Sequence, residues 1–326
     1  MISTNIFLYV VVFLFTLATT VLLTRLLIPF LKGCAKQPIY EDGPKWHMSK
    51  SGTPTMGGLS FMSAILIALL LCALYFFISD NRASAISLLI CAGYALLNAL
   101  IGITDDITKL KHKKNAGLSP RAKLILQFTV SGIFLIARII LLNDGTDISF
   151  SFANIDLGVF YYFIALIILV GITNCANLTD GIDGLATSVA FAISISLFLT
   201  LYSTQTAVAF VCASVAGGAI GFLIFNINPA RIFMGDTGSL FLGSLIAALA
   251  FEINNPFIAI SYGGVYVIEG ISVILQVGYY KIKKKRLFKM APIHHHLEKC
   301  GWNENKICLV AIIATLILSV PVALCL

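Results

Sequence analysis

The sequence predicts an all-α protein that crosses a membrane about ten times, and three observations carry that prediction. Of its 326 residues, 59% are hydrophobic and 11% are charged, with a mean hydropathy of +0.95. A water-facing domain carries roughly 25% charged residues. Apolar runs recur along the whole chain, and about 20 apolar residues in a helix cross a hydrocarbon core about 30 Å thick. The few charges are sorted onto one set of connections between the runs.

In order, the runs fall at about 6–31, 56–78, 84–104, 122–142, 157–173, 185–202, 207–225, 237–252, 257–280 and 307–325. The first is long enough to span and lacks an A-x-A-type site after a short apolar core, so it reads as a helix and not a cleaved targeting peptide. The runs at 157–173 and 237–252 are short, and their flanking polar motifs could break them. No internal repeat or low-complexity tract divides residues 1–326, which read as a single membrane domain. The eight cysteines form no C-x-x-C pair and mostly lie in or beside apolar runs, so they read as packing residues.

Lysine and arginine set the orientation. Connections 32–55, 105–121, 174–184, 226–236 and 281–306, with Lys123 at a helix start, hold nineteen of the 22 basic residues. The opposite connections hold only Arg82, while Arg25 and Arg138 lie within spans. The basic side is the cytoplasmic one, and ten spans place both termini outside. The net charge of +7 is therefore one-sided, suited to topology and to the headgroups of membrane lipids. Nothing in it calls for nucleic acid.

The acids say more. Asp105, Asp106, Asp180, Asp183 and Asp236 all lie at span ends on that same side, with all five histidines, 47, 112, 294, 295 and 296. A catalytic surface there is the natural expectation. In "TDDITKLKHKKN", neighbouring helical residues point about 100° apart, so Asp105 and Asp106 cannot share a direction, while Lys109 lies one turn beyond Asp105. A plain helix end with one i,i+4 ion pair is worth about 0.3–0.5 kcal/mol. An acid truly inside hydrocarbon costs on the order of 2.5–3.5 kcal/mol, so a divalent cation or a proton-transfer task explains the pair better.

"NCANLTDGIDGLAT", residues 174–187, packs two Asp, two Asn, two Thr and two Gly beside a span. Asp180 and Asp183, three apart, would project to one side of a helical turn. "NINPARIFMGDTGSLFLG", residues 226–243, has the form of a loop opening a helix, with Asp236, Thr237 and Ser239 as hard oxygen or capping groups. Its helix start is expected to attract phosphate, and Arg231 fits a metal-plus-anion site. It is not a P-loop. "MAPIHHHLE" lacks the Cys or carboxylate that would complete a zinc site, and three consecutive His cannot converge on one ion; contacts to phosphate or nucleotide suit them better. "KSGTPTMGG" reads as a turn opening a helix, with Lys50 an interface lysine or a phosphate contact. Hard carboxylates for Mg²⁺ with lysines and histidines for phosphate suit phosphoryl transfer, where positioning and charge neutralisation do most of the catalysis. One substrate would be lipidic and the other water-soluble.

In this order, "GTPTMGG", "TDDITK", "NLTDGIDGLA", "NPARIFMGDTGSLFLG" and "APIHHHLE" resemble the motifs of the bacterial phospho-N-acetylmuramoyl-pentapeptide-transferase (MraY) family. That family is a branch of the polyprenyl-phosphate N-acetylhexosamine-1-phosphate transferases, and the resemblance extends over nearly the whole chain. It implies an enzyme of the bacterial inner membrane, working at the cytoplasmic face in the first membrane step of peptidoglycan synthesis. UDP-N-acetylmuramoyl-pentapeptide and undecaprenyl phosphate would give lipid I and UMP, with Mg²⁺ as cofactor. By the same resemblance, Asp236 is the favoured Mg²⁺ ligand, with Asp106 beside the metal and pyrophosphate. Asp105 is the favoured base toward the lipid phosphate, and His294 joins these acids as catalytic. Asn177, Asp180 and Asp183 would line the nucleotide site, Phe233 would stack on uracil, and Lys50, Thr55, Lys109, Lys123, His295 and His296 would bind phosphates or sugar. The resemblance is compatible with a homodimer. Two other readings are weighed: a sister enzyme transferring N-acetylglucosamine-1-phosphate to the same lipid, and a cation-coupled transporter. Against transport, the acids gather at one face instead of the midplane.

Overall fold

The computed structural model describes residues 2–35, 50, 52–112, 117–150 and 153–325, and His47 lies outside these. Helices α1 (Ile2–Cys34), α2 (Gly58–Ile78), α3 (Arg82–His112) and α4 (Pro120–Leu142) precede a short hairpin of β1 (Asp147–Phe150) and β2 (Ala153–Asp156). Then follow α5 (Phe160–Thr179), α6 (Leu185–Leu201), α7 (Thr206–Asn226), α8 (Gly235–Glu252), α9 (Ile258–Tyr262), α10 (Gly264–Lys283), α11 (Ile293–Lys299) and α12 (Glu304–Cys325). The chain is an all-α, multi-pass membrane protein. Among the described residues, seven helices are long and apolar enough to cross a membrane, namely α1 to α5, α7 and α10. Helices α6, α8 and α12 coincide with the remaining expected runs.

The helix boundaries follow local chemistry. Ser119 caps α4 by accepting from Ala122 N at 3.3 Å, Pro120 fills the first helical position, and Asn143 closes the helix in the left-handed conformation. Three expectations need correcting. The short runs at 157 and 237 are continuous helices, and the broken run is instead 257–280, which divides at Gly263 into α9 and α10. Helix α3 continues to His112, so Asp105 and Asp106 lie within it and not at its exit. The connection after α4 carries the hairpin, with Asp147 opposite Asp156 and Ile148 opposite Ile155.

Helix α8 is the axis of the fold. Every residue from Thr237 to Phe251 is buried, on all sides of the helix, as expected of a helix apolar all round. It packs along α3 and α5, while α7 packs along α1 and α6. The outer helices turn apolar side chains outward, among them Phe7, Phe30, Ile140 and Ile274. Such a surface would be unfavourable in water and is at home in hydrocarbon. Cys72, Cys91, Cys212 and Cys308 are free and buried, in keeping with packing roles.

Candidate active site

Helices α3 and α8 run antiparallel and meet without side chains between them where the acids lie. A Cβ on Gly102 would stand 2.3 Å from the carbonyl oxygen of Asp236, closer than any real contact. Gly235, which opens α8, has φ +70°, and a Cβ there would meet Asp106 Oδ2 at 2.6 Å and Thr55 Oγ1 at 2.9 Å. Glycine at both places lets Asp106 reach the start of α8. Its carboxylate accepts from Asp236 N (3.2 Å), Thr237 N (3.0 Å) and Thr237 Oγ1 (2.7 Å). A carboxylate from one helix thus caps another, where exposed N–H groups and the helix dipole favour negative charge. The helix start expected to attract phosphate is already held by Asp106.

Asp105 diverges from Asp106, as its offset on the helix requires. Buried, it accepts from Leu118 N at 2.7 Å and pairs with Lys109 Nζ at 2.6 Å, the i,i+4 contact anticipated from sequence. Lys109 Nζ also lies 3.2 Å from Asp236 Oδ1, and Lys123 Nζ of α4 lies 2.6 Å from Asp236 Oδ2. Asn177 near the end of α5 donates to Asp236 Oδ1 (3.2 Å) and Ser239 Oγ (2.8 Å) and accepts from Lys123 Nζ (3.3 Å). Burial alone would raise the pKa of Asp236, but Lys123 and Lys109 outweigh it and hold the carboxyl well below its usual range. Asp180, in the turn after α5, is pushed well above that range by burial and then by Asp236, Asp106 and Asp183.

Asp105, Asp106 and Asp236 each offer one oxygen, and these lie within 4.8 Å of one another. Oxygens sharing one Mg²⁺ at about 2.1 Å stand at most about 4.2 Å apart. Only one pair of three ligands can stand opposite each other and adjacent ones lie about 3.0 Å apart, so the acids would seat a hard divalent cation after drawing together by up to about 1.8 Å. Lys109 and Lys123 supply the positive charge that binds the acids together in this structure.

Asp180 and Asp183 do not share a helical face, because residues 180–184 form a non-helical turn. Asp183 turns away into a second cluster with Lys50 Nζ (2.7 Å), Asn228 Nδ2 (3.0 Å) and Ala230 N (3.0 Å). Lys50 also meets Glu304 at 2.7 Å. Thr55 is buried beside Gly235. Phe233 is held by its main chain, donating to Pro54 O and accepting from Gly57 N, both at 2.8 Å.

The rings of His294 and His295 meet edge to face with centroids 4.2 Å apart, and the three imidazoles take different polar partners. His294 is fully buried, with Nδ1 3.1 Å from Glu269 Oε2 and Nε2 against Gly181, without a hydrogen-bond partner. His295 Nδ1 meets Glu298 Oε2 at 2.6 Å, and His296 Nδ1 accepts from Lys289 N at 3.1 Å. The structure therefore gathers Asp105, Asp106, Lys109, Lys123, Asn177 and Asp236 in one place. Lys50 and Asp183 stand in a neighbouring cluster, His295 packs on His294, and His296 lies against Phe288 and Lys289. Sequence reasoning passed over Glu269 and Glu304. An acid inside the apolar run 257–280 was the available signal for the first.

Residues 88–254 match the family profile described as glycosyl transferase family 4, and residues 50–61 match phospho-N-acetylmuramoyl-pentapeptide-transferase signature 1. A protein of that transferase name from Clostridium acetobutylicum is 43% identical over 286 residues, covering 86% of this chain and 87% of the relative. Those from Bacillus mycoides and Bacillus cytotoxicus are each 41% identical over 297 residues, covering 88% of both chains. With acids, lysines and the signature segment meeting at one end of α3 and α8, the chain belongs to the phospho-N-acetylmuramoyl-pentapeptide-transferase family.

Proposed function

We propose that the protein transfers phospho-N-acetylmuramoyl-pentapeptide from its UDP conjugate to undecaprenyl phosphate, forming lipid I and releasing UMP. It would work as one catalytic unit of a bacterial inner membrane, facing the cytoplasm. The sorting of basic residues supports that orientation. The observation that carries the reading is the meeting of three carboxylates and two lysines around the start of α8.

A lipid phosphate oxygen attacks the sugar-bearing phosphorus, the bond to the bridging oxygen breaks, and UMP departs. Both reactants are anionic and repel until cations intervene. Mg²⁺, held by Asp236 and Asp106, would supply charge neutralisation on the pyrophosphate. Lys109 and Lys123, now bound to Asp236 and Asp105, are the protein's own cations for the same task. Asp105 takes the proton of a singly ionised lipid phosphate. A phosphate monoester has a second pKa near 6, so this help matters most at low pH. Asp180, Asn177, Phe233 and Asp183 are the residues proposed to line the nucleotide site, with Lys50 paired to Asp183 and His294 against Gly181.

The test supplies the purified protein with undecaprenyl phosphate and either UDP-N-acetylmuramoyl-pentapeptide or UDP-N-acetylglucosamine. Magnesium-dependent UMP release from the first donor alone is expected. Release from the second alone would favour the sister reaction. Full turnover in excess chelator would overturn the metal assignment.

A further inference from the structure

Lys50, Asp183 and Glu304 come from three distant parts of the chain and meet with little exposure. Their side chains are 18%, 3% and 12% exposed. Glu304, in the first turn of α12, is the hub of this contact. Its Oε1 and Oε2 lie 2.7 and 2.8 Å from Lys50 Nζ. Oε2 also accepts from the backbone N of Asp183 at 2.7 Å, and Oε1 from Asn228 Nδ2 at 3.2 Å. The Asp183 side chain closes the circuit by accepting from Asn228 Nδ2 and Ala230 N. Helix α12 adds a second tie, from Cys308 Sγ to Asp183 O at 3.3 Å.

One carboxylate thus holds three segments that lead into the candidate site. These are the residue that opens the signature segment, the 180–184 turn that carries Asp180, and the 227–234 loop that delivers Phe233 and then Asp236. Glu304 itself lies outside the aspartate–lysine group. We infer that Glu304 is a positioning residue, acting through Lys50 and the Asp183 amide to hold the nucleotide-side turn and loop against the start of α8. A carboxylate is needed because both of its oxygens accept, Oε1 from Asn228 and Oε2 from the Asp183 amide, so a side-chain amide would turn a donor toward one of them. Hydrogen bonds to charged groups are also the stronger ones.

The inference rests on the transferase reading for its kinetic arm and stands apart from it in its structural arm. Both use the full-length protein in detergent, as Glu304→Gln and as the conservative Glu304→Asp. In Glu304→Gln, KM for the UDP donor is expected to rise about tenfold, while KM for undecaprenyl phosphate and kcat stay within about twofold. Backbone hydrogen exchange across residues 180–184 is expected to speed up about tenfold, with the interior of α8 unchanged. Glu304→Asp should recover part of both effects. Unchanged exchange in the turn would overturn the inference, as would faster exchange throughout the protein. A wild-type protein inactive with every donor would sink the transferase reading and leave the exchange measurement to decide this one.

Discussion

Two charged clusters sit at opposite ends of the antiparallel pair α3 and α8, and they are built differently. At the end away from the aspartates, Arg138 of α4 bonds Asp144 through Nε, Glu252 through Nη1 and Phe251 O through Nη2 at 3.0 Å. Ser87 also donates to Glu252, with Cys91 Sγ 3.2 Å from the same carboxylate, and the guanidinium lies over the Phe134 ring at 5.8 Å. Its arginine is saturated from several sides. At the other end, the Asp180 carboxylate accepts no hydrogen bond from a described residue, and three carboxylates crowd around two lysines. A charge set within a span must be satisfied by its neighbours. The aspartate cluster instead leaves the Asp180 carboxylate without a hydrogen-bond donor among the described residues.

This contrast can be broken most decisively at Asp236. Asp236→Asn should lower UMP release about 10³-fold, near the upper range for losing one electrostatic stabiliser, and should flatten the magnesium titration. Glu252→Gln should do the reverse, keeping turnover within about threefold while costing about 1–3 kcal/mol in detergent unfolding, because it removes one of the two carboxylates that pair with Arg138. Equal catalytic losses in the two variants would erase the distinction between the clusters.

A smaller effect sharpens the proton-transfer role. Asp105→Asn should slow turnover about 10²-fold near pH 6, in the range of general base catalysis. The deficit should shrink toward pH 8, as the lipid phosphate becomes dianionic without help. A pH-independent deficit would assign Asp105 to positioning Lys109 instead.

The smallest effect concerns stability. The raised pKa of Asp180 means that the folded protein holds this proton more tightly than the unfolded chain does. The associated stability is fully present below the ordinary carboxylate pKa and is lost as pH rises through the raised one. In magnesium-free detergent, Asp180→Asn should therefore raise the melting temperature at neutral pH and not at pH 3, even as it impairs turnover. Thermal scans at the two pH values check this.

Much of this contrast was legible in the sequence. Hydropathy located all ten runs, and each coincides with helix in the structure. The five acids stood out because acids are rare beside hydrocarbon, and the Asp105–Lys109 pair followed from i,i+4 spacing. What escaped depended on partners far apart in the chain. Asp106 caps a helix that begins 129 residues later, at Gly235. Asp183 parts from Asp180 because the turn is not helical and because Lys50, Asn228 and Glu304 draw it aside. The division at Gly263 was hidden within a run whose hydropathy is continuous across the break.

The bare contact between Gly102 and the first residues of α8 has a consequence for how the enzyme keeps its dimensions. Where two helices meet main chain to main chain, no rotamer can widen or narrow the gap. The width between the acids is then set by main-chain van der Waals contact and not by the choice of side-chain rotamers. A single methyl group at position 102 would act as a wedge, displacing one wall of the aspartate cluster while leaving every carboxylate in the chain.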